Sequence, residues 1–356
     1  MMRILYVTTG LKSGGAERVV CRLADNYSSR GYAVAIISLI GCFEVTPQNK
    51  NIDICSLDIR KNSIGSMLNG LYKALKYIIK FRADVVHSHM YHANIFARFL
   101  NPLFPKQHLI CTAHGQIEGG LVCDILYRLT DSIPYISTNV SNAACQDFYA
   151  RKASRPHRMI PVYNGIDLDR FYNRYHPNRN PQRLLSVGRL APEKNIGMII
   201  NAMKLAMDAS EENIELWIVG TGPEYSKLSD LVCVLGMSEN VFFLGEVSDP
   251  ERLMSAITLF VSSSDHEGFG LAIAEAMASG VPVIVTDTGG AAEIVGDPKY
   301  FVPIGNVDVL ASKILALLDC SDDALVALGR VGRARIEDHF SEQAAFSNWD
   351  HLYSHD

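Results

Sequence analysis

Short β-branched runs alternate with amphipathic helical stretches along this chain, stop at a polar segment near its middle, and then start again. The first series reads strand 3–8, helix 16–30 stopped by Gly31, strand 33–39, helix 64–81 and strand 84–88. Consecutive strands separated by helix-length crossovers lie parallel in one sheet, with helices over both faces. The second series reads strand 184–187, helix 195–208, strand 214–219, helix 224–235, strands 241–244 and 259–262, helix 271–279 and strand 282–285. Between them, residues 173–181 are rich in Asn, Arg and Pro, which suits an exposed connection near a hinge. The expectation is two doubly wound α/β domains. Such sheets bind ligands at the carboxyl ends of their strands, so the chemistry should follow strands and face a cleft between the domains.

A chain of 356 residues accommodates two such domains. With 48% apolar and 20% charged residues it matches an ordinary soluble globular protein. Its eight cysteines are scattered without a C-x-x-C pair and read as reduced core residues. The early apolar run 4–7 is too brief for a signal-peptide core, so no export is expected. The longest apolar stretches, 33–40 and 280–285, fall short of the roughly 18 residues of a membrane span, which restricts any membrane contact to a peripheral one. The net charge of −5 is unevenly shared: residues 1–165 carry 19 Lys and Arg against 10 Asp and Glu, and the remainder 14 against 28. A basic half suggests an anionic partner, a phospholipid surface or phosphate-bearing acceptor; mutual steering of the two halves is the other reading.

After the first strand, residues 9–18 form a glycine-bearing turn that opens a helix, and Gly14 with Gly15 lets backbone amides approach a phosphate. The turn lacks the G-x-G-x-x-G fingerprint of dinucleotide enzymes, and no G-x-x-x-x-G-K-[ST] phosphate loop occurs anywhere. In the second half, Arg189 and Lys194 stand five positions apart on a strand-to-helix loop, where two cations suit a diphosphate leaving group. Residues 265–282 place Glu267 in a glycine-rich loop and Glu275 about one turn inside the next helix. Carboxylates accept hydrogen bonds from sugar hydroxyls, and a ribose diol is a sensible partner for Glu275 in so apolar a helix.

In these residues the chain resembles glycosyltransferase family 4, from Gly14-Gly15-Ala16-Glu17 through residues 84–89, Asn164-Gly165-Ile166-Asp167 and Gly188-Arg189-Leu190 with Lys194 to the Glu267/Glu275 pair. The resemblance implies the GT-B fold, two Rossmann-like domains facing across a cleft: residues 1–163, joined by a returning C-terminal helix 341–356, for the acceptor, and 164–340 for the nucleotide-sugar. It implies a retaining, metal-independent transferase with no cofactor. Arg189 and Lys194 would bind the donor diphosphate, with a backbone N–H from Gly15. Glu267 and the backbone of Phe269, Gly270 and Leu271 would hold the donor sugar, and Glu275 the ribose. His114 matches the histidine such enzymes place beside the anomeric centre. No protein nucleophile is implied, because the leaving phosphate itself helps to deprotonate the acceptor.

Two patterns imitate metal sites. His87, His89 and His92 form H-x-H-x-x-H, with His87 and His89 on one face of a strand, and Asp167-Leu168-Asp169 imitates the D-x-D of metal-dependent transferases. The resembled family carries histidines at the first without metal, so it reads as structural, and the second belongs to the Asn164-Gly165-Ile166-Asp167 feature near the domain junction and reads as structural or cleft-lining. Helix 64–82 gathers Ile64, Met67, Leu68, Leu71, Leu75 and Ile78 on one face and Lys73, Lys76 and Lys80 on another, a pattern that fits docking on an anionic membrane as well as a solvated face.

The resulting expectation is transfer of a hexose or N-acetylhexosamine, from a UDP-sugar first, to a glycan or lipid-linked acceptor in bacterial surface polysaccharide assembly of the O-antigen or capsule type. The protein would be cytoplasmic, or peripheral on the cytoplasmic face of the inner membrane, with no nucleic-acid partner. The alternatives are a GDP-mannose-dependent mannosyltransferase, a GT-B-type sugar-nucleotide epimerase or phosphorylase, and a non-catalytic nucleotide-sugar-binding module.

Overall fold

A computed structural model describes residues 1–12, 14–173, 175–177, 180–210 and 213–354. Ser13 of the first turn, Arg174, Asn178 and Arg179 of the connection, and the last two residues of the expected helix 341–356 lie outside the described residues. The chain divides into two compact units, Met1–Tyr163 with Phe346–Asp356 and Asn164–Ala345.

In the first unit the chain runs β1 (Arg3–Thr8), α1 (Gly15–Ser29), β2 (Ala33–Ser38), β3 (Asp53–Ser56), α2 (Ile64–Phe81), β4 (Val85–His89), α3 (Tyr91–Leu100), β5 (His108–Ala113), α4 (Leu121–Leu129), β6 (Ile136–Asn139), α5 (Asn142–Ala150) and β7 (Met159–Pro161). The strands form one parallel sheet in the order β3-β2-β1-β4-β5-β6-β7. Burial on both faces explains the unbroken apolar runs: Ile4, Tyr6 and Ile36 pack on one side of the sheet, and Leu5, Val7 and Ile37 on the other.

The second unit runs β8 (Gln182–Val187), α6 (Ile196–Ala209), β9 (Ile214–Val219), α7 (Tyr225–Val234), β10 (Val241–Gly245), α8 (Pro250–Met254), β11 (Leu259–Ser262), α9 (Leu271–Ala278), β12 (Val283–Thr286), α10 (Gly289–Val295), β13 (Phe301–Val302), α11 (Val307–Leu318), α12 (Asp322–His339) and α13 (Glu342–Ser354). Its sheet is again parallel, in the order β10-β9-β8-β11-β12-β13. The helix α13 is divided between the units. Its first residues stay with the second, where Glu342 N donates to Ile166 O (3.1 Å), and the return to the first unit begins at Phe346 rather than at 341. From there α13 buries Trp349 and Tyr353 in the core around Ile4 and Tyr6.

The sequence pattern of α2 leaves open which of its faces packs inward. The helix spans the expected residues, capped by the Ser63 hydroxyl, which accepts from Ser66 N. Its inward stripe, however, is Gly70, Ala74 and Ile78, spaced four apart. Gly70 rests against Ile59, and only small side chains allow that approach. The apolar face is therefore rotated outward: Ile64 is 76%, Met67 55% and Leu68 63% exposed. The basic stripe is also uneven. Lys73 is tied to Asp58 (Nζ to Oδ2, 3.0 Å), while Lys76 and Lys80 are exposed. Among the described residues, no helix is long and apolar enough to cross a membrane.

Candidate functional site

Strand order reverses between β8 and β11 in the second unit and between β1 and β4 in the first. At such a reversal the two following loops leave in opposite directions and open a crevice at the strand ends. Gly14 and Gly15 follow β1, His87 and His89 end β4, and the Arg189–Lys194 and Glu267 loops follow β8 and β11, whereas His114 follows β5, one strand further on.

In the second unit, β8 ends at Val187 and leads through Gly188 and Arg189 into a short 3₁₀ turn, Pro192–Lys194. The neighbouring β11 ends at Ser262 and leads into the Glu267 loop. The two loops are joined side by side. Lys194 Nζ lies 2.7 Å from Glu267 Oε2, with both side chains largely buried. Ser264 Oγ donates to the same Glu267 oxygen (3.2 Å), and Asn195 Nδ2 donates to Asp265 Oδ1 (3.0 Å). The Ser263 hydroxyl is shared between the carbonyls of Lys194 (3.0 Å) and Asn195 (2.8 Å), and Asp265 N donates to Glu193 O (2.8 Å). Arg189 stands farther out, its guanidinium paired with Glu193 (2.5 Å).

The following segment needs glycine twice. Gly270 sits at φ +100°, a conformation open to glycine, and turns the chain into α9. Gly290 lets α10 lie on the Glu267 loop; a Cβ there would come within 2.5 Å of the carbonyls of Glu267 and Gly268. Phe269 buries its ring edge-on to Phe340, with centroids 5.8 Å apart, so its side chain anchors the loop. Leu271 begins α9, and Glu275 lies half-buried one turn further on.

In the first unit, Gly14 caps α1 in an extended conformation and Gly15 opens the helix. The Glu17 carboxylate folds back over this turn, so close that a Cβ on Gly14 would meet its Oε2 at 2.2 Å. Burial raises the Glu17 pKa above its usual value, against the pull of its own backbone N–H. A carboxylate thus covers part of the helix N-terminus at which the phosphate is expected.

His114 follows β5 directly. Its backbone N–H donates to Glu118 Oε1 (2.8 Å), and Glu118 is held in turn by the Tyr127 hydroxyl (2.5 Å). The His114 ring Nε2 lies 2.9 Å from His89 Nδ1. Burial pushes the His114 pKa down to about 4 and that of His89 well below 6.5, so both rings are neutral near pH 7. Around them the buried face of the sheet carries a polar chain. His87 Nδ1 meets the Tyr353 hydroxyl (2.7 Å), His87 Nε2 meets Thr112 Oγ1 (2.6 Å), and Thr112 Oγ1 meets Thr138 Oγ1 (2.6 Å).

The H-x-H-x-x-H run is not assembled as one ligand set: His87 has both ring nitrogens engaged, His89 faces His114, and His92 is exposed. Asp167 of the D-x-D imitation accepts from the backbone of Asp169 (3.1 Å) and Arg170 (2.8 Å) and caps a turn. The second unit thus brings together Lys194, Glu267 and the 269–271 backbone, with Arg189 and Glu275 at the margins, whereas Gly15 and His114 belong to the first unit. Glu118 and the contact of His89 with His114 were not foreseen. The i, i+2 spacing of His87 and His89 was the available signal, but it lacked the knowledge that β5 lies beside β4.

The glycosyltransferase family 4 model matches residues 13–170, and the model of glycosyl transferases group 1 matches 169–335, so the two together span both strand-end sites. The chain belongs to glycosyltransferase family 4. This glycosyltransferase is 28% identical over 362 residues to N-acetyl-alpha-D-glucosaminyl L-malate synthase of Bacillus anthracis, covering 96% of this chain and 93% of the relative. It is 25% identical over 331 residues to the amylovoran biosynthesis glycosyltransferase AmsD of Erwinia amylovora, covering 89% and 90%. Among solved structures, Anabaena HepE in complex with UDP and glucose superposes with a TM-score of 0.84 at 19% identity over the whole of both chains, a likeness of fold. The two parallel-sheet units of this glycosyltransferase are those of the GT-B class.

Proposed function

We propose that this glycosyltransferase is a retaining, metal-independent enzyme that moves a hexose or N-acetylhexosamine from a UDP-sugar to a glycan or lipid-linked acceptor during assembly of a bacterial surface polysaccharide. The observation that carries the reading is the Lys194–Glu267 pair at 2.7 Å, a cation and a carboxylate delivered from two strands that flank the reversal of sheet order. An ammonium has three donors, so Lys194 can keep Glu267 in place and still donate to a diphosphate. Arg189 would add a second cation on exchanging Glu193 for phosphate oxygens. Glu267 then accepts from sugar hydroxyls beside the amides of Phe269, Gly270 and Leu271, and Glu275 from the ribose. Gly15 supplies an amide to the phosphates, with Glu17 moving aside, and His114 attends the sugar. Charge developing on the leaving diphosphate is offset by side chains and amides without a metal.

The relatives bear on donor and acceptor by their names only: one carries an N-acetylglucosaminyl group and malate, the other amylovoran. HepE was solved with UDP and glucose, which favours uridine over guanosine. A thermal-shift panel of nucleotide-sugars tests the donor, because a ligand that binds the folded state raises apparent stability. UDP-sugars are expected to shift the melting temperature and GDP-mannose is not. Transfer assayed in EDTA tests the chemistry. Activity should persist, and complete loss restored by Mn²⁺ or Mg²⁺ would overturn metal independence. Release of UDP without an acceptor would favour the epimerase reading instead.

The exposed apolar turns of α2, next to Lys76 and Lys80, favour an acceptor met at an anionic membrane surface.

A further inference from the structure

Two neutral imidazoles 2.9 Å apart share one proton: one nitrogen donates and the other accepts. Which one donates decides what His114 can offer a substrate. The deciding atom is His89 Nε2, which is buried and, among the described residues, has no hydrogen-bond partner. If His114 Nε2–H donated to His89 Nδ1, the proton of His89 would sit on Nε2 and a donor would be stranded in the core. If His89 Nδ1–H donates to His114 Nε2, only an acceptor lone pair is stranded, and buried orphan acceptors are tolerated better than orphan N–H groups.

We infer that His89 is a positioning residue that fixes the tautomer of His114: His89 donates from Nδ1, His114 accepts at Nε2, and His114 carries its own proton on Nδ1. The ring then works as a hydrogen-bond donor toward an oxygen of the donor sugar or its phosphate, and its remaining nitrogen has no lone pair with which to take a proton from the acceptor. The surroundings hold this choice in place. His89 is fully buried at the end of β4, its ring centroid 4.0 Å from that of His87, which is itself held by Tyr353 and Thr112. The backbone of His114 is held separately by Glu118, so the contact with His89 is what sets the ring. The low pKa of both rings keeps the second proton away. The consequence for catalysis rests on the function proposed above; the tautomer does not.

Two measurements separate them. In the intact protein labelled with ¹⁵N-histidine, long-range ¹H–¹⁵N correlation should show His114 protonated at Nδ1 and bare at Nε2; the opposite pattern overturns the inference whatever the enzyme proves to do. Kinetics test its use. His89→Asn places an amide donor near the position of Nδ1, whereas His89→Leu removes it. His89→Leu should lower kcat about tenfold with donor KM changed less than about twofold, the signature of an interaction used in the transition state. His89→Asn should recover most of that loss. Equal loss in the two variants, at matched thermal stability, would reduce His89 to packing and overturn its positioning role. If His89→Leu does not fold, His89→Asn and the wild-type spectrum still decide. If wild-type enzyme transfers no sugar while the spectrum shows the expected tautomer, the proposed function fails and the tautomer assignment stands.

Discussion

Lys194 Nζ lies 2.7 Å from Glu267 Oε2, and this contact ties together the loops that follow β8 and β11, neighbours across the reversal of the second sheet. Both side chains are largely shielded from solvent, so the pair is less screened than a surface ion pair. Each partner is assigned a different part of the donor, yet each also fixes the other's position. Lys194→Ala should therefore cost about 1.5–3 kcal/mol in kcat/KM through lost charge-assisted bonds. Combined with Glu267→Gln, the loss should fall short of the sum of the single losses by at least about 0.5 kcal/mol, because the two side chains touch. Strict additivity in the double-mutant cycle would show that they act independently.

Acid should weaken the first unit before most carboxylates are protonated. His87, His89 and His114 are buried, and burial lowers all three pKa values, that of His114 to about 4. Above pH 6.5 the histidines are neutral in both folded and unfolded chains, and this source of stability is complete. As pH falls below 6.5, the unfolded chain takes up protons that the folded one refuses, so stability declines towards the folded pKa values. The chain has two tryptophans, Trp217 in the second unit and Trp349 in the first, so Trp217→Phe leaves Trp349 as a reporter of the first unit. Its urea midpoint should drop between pH 7 and pH 5, and less steeply in His89→Asn. A flat profile would show that the histidines are protonated without cost.

The terminal residues should behave as core. Tyr353 bonds both His87 (2.7 Å) and Tyr6 (3.2 Å) through one hydroxyl, and Trp349 is almost fully buried. Tyr353→Phe strands His87 Nδ1 and should cost about 1–3 kcal/mol, the penalty of an unsatisfied buried group. Trp349→Ala should cost about 3–5 kcal/mol. Thermal melts of the two variants measure this, and wild-type melting of Tyr353→Phe would mean that His87 finds another partner.

Pattern and periodicity reached the elements that bury continuous apolar stretches. Strands 3–8, 214–219 and 259–262 and helix 64–81 are found at the expected bounds, since each is long or apolar enough to announce its period. The edge strands β3, β7 and β13 have four residues or fewer and little period to read. At the site, Lys194 and Glu267 were legible as motif residues on strand-end loops, but their contact depends on β8 pairing with β11, which is long-range information. The same is true of His89 and His114, 25 residues apart in sequence and brought together by the β4–β5 pairing. Which face of α2 packs inward was not legible, because the small residues Gly70 and Ala74, rather than the apolar stripe, decide which side can approach the sheet, and the stripe turns outward.

That outward rotation changes what membrane docking should depend on. Three lysines were the expected anchor, yet Lys73 is neutralised by Asp58 at 3.0 Å, which leaves Lys76 and Lys80 to attract an anionic leaflet at roughly 1 kcal/mol each. Ile64, Met67 and Leu68, all more than half exposed, can add about 1.5–3 kcal/mol apiece on full burial in the acyl region. The apolar term should thus outweigh the electrostatic one. In co-sedimentation with vesicles containing anionic phospholipid, wild-type protein should bind, and added salt should weaken binding only in part. Met67→Glu with Leu68→Glu should abolish it, Lys76→Glu with Lys80→Glu should reduce it about tenfold or more, and Lys73→Glu alone should change it little. These positions lie on the solvent side of α2, so the variants should keep their fold, which circular dichroism checks. If the Met67/Leu68 variant sediments like wild type, or if wild-type protein ignores the vesicles, the exposed turns of α2 do not meet lipid and the acceptor is a soluble one.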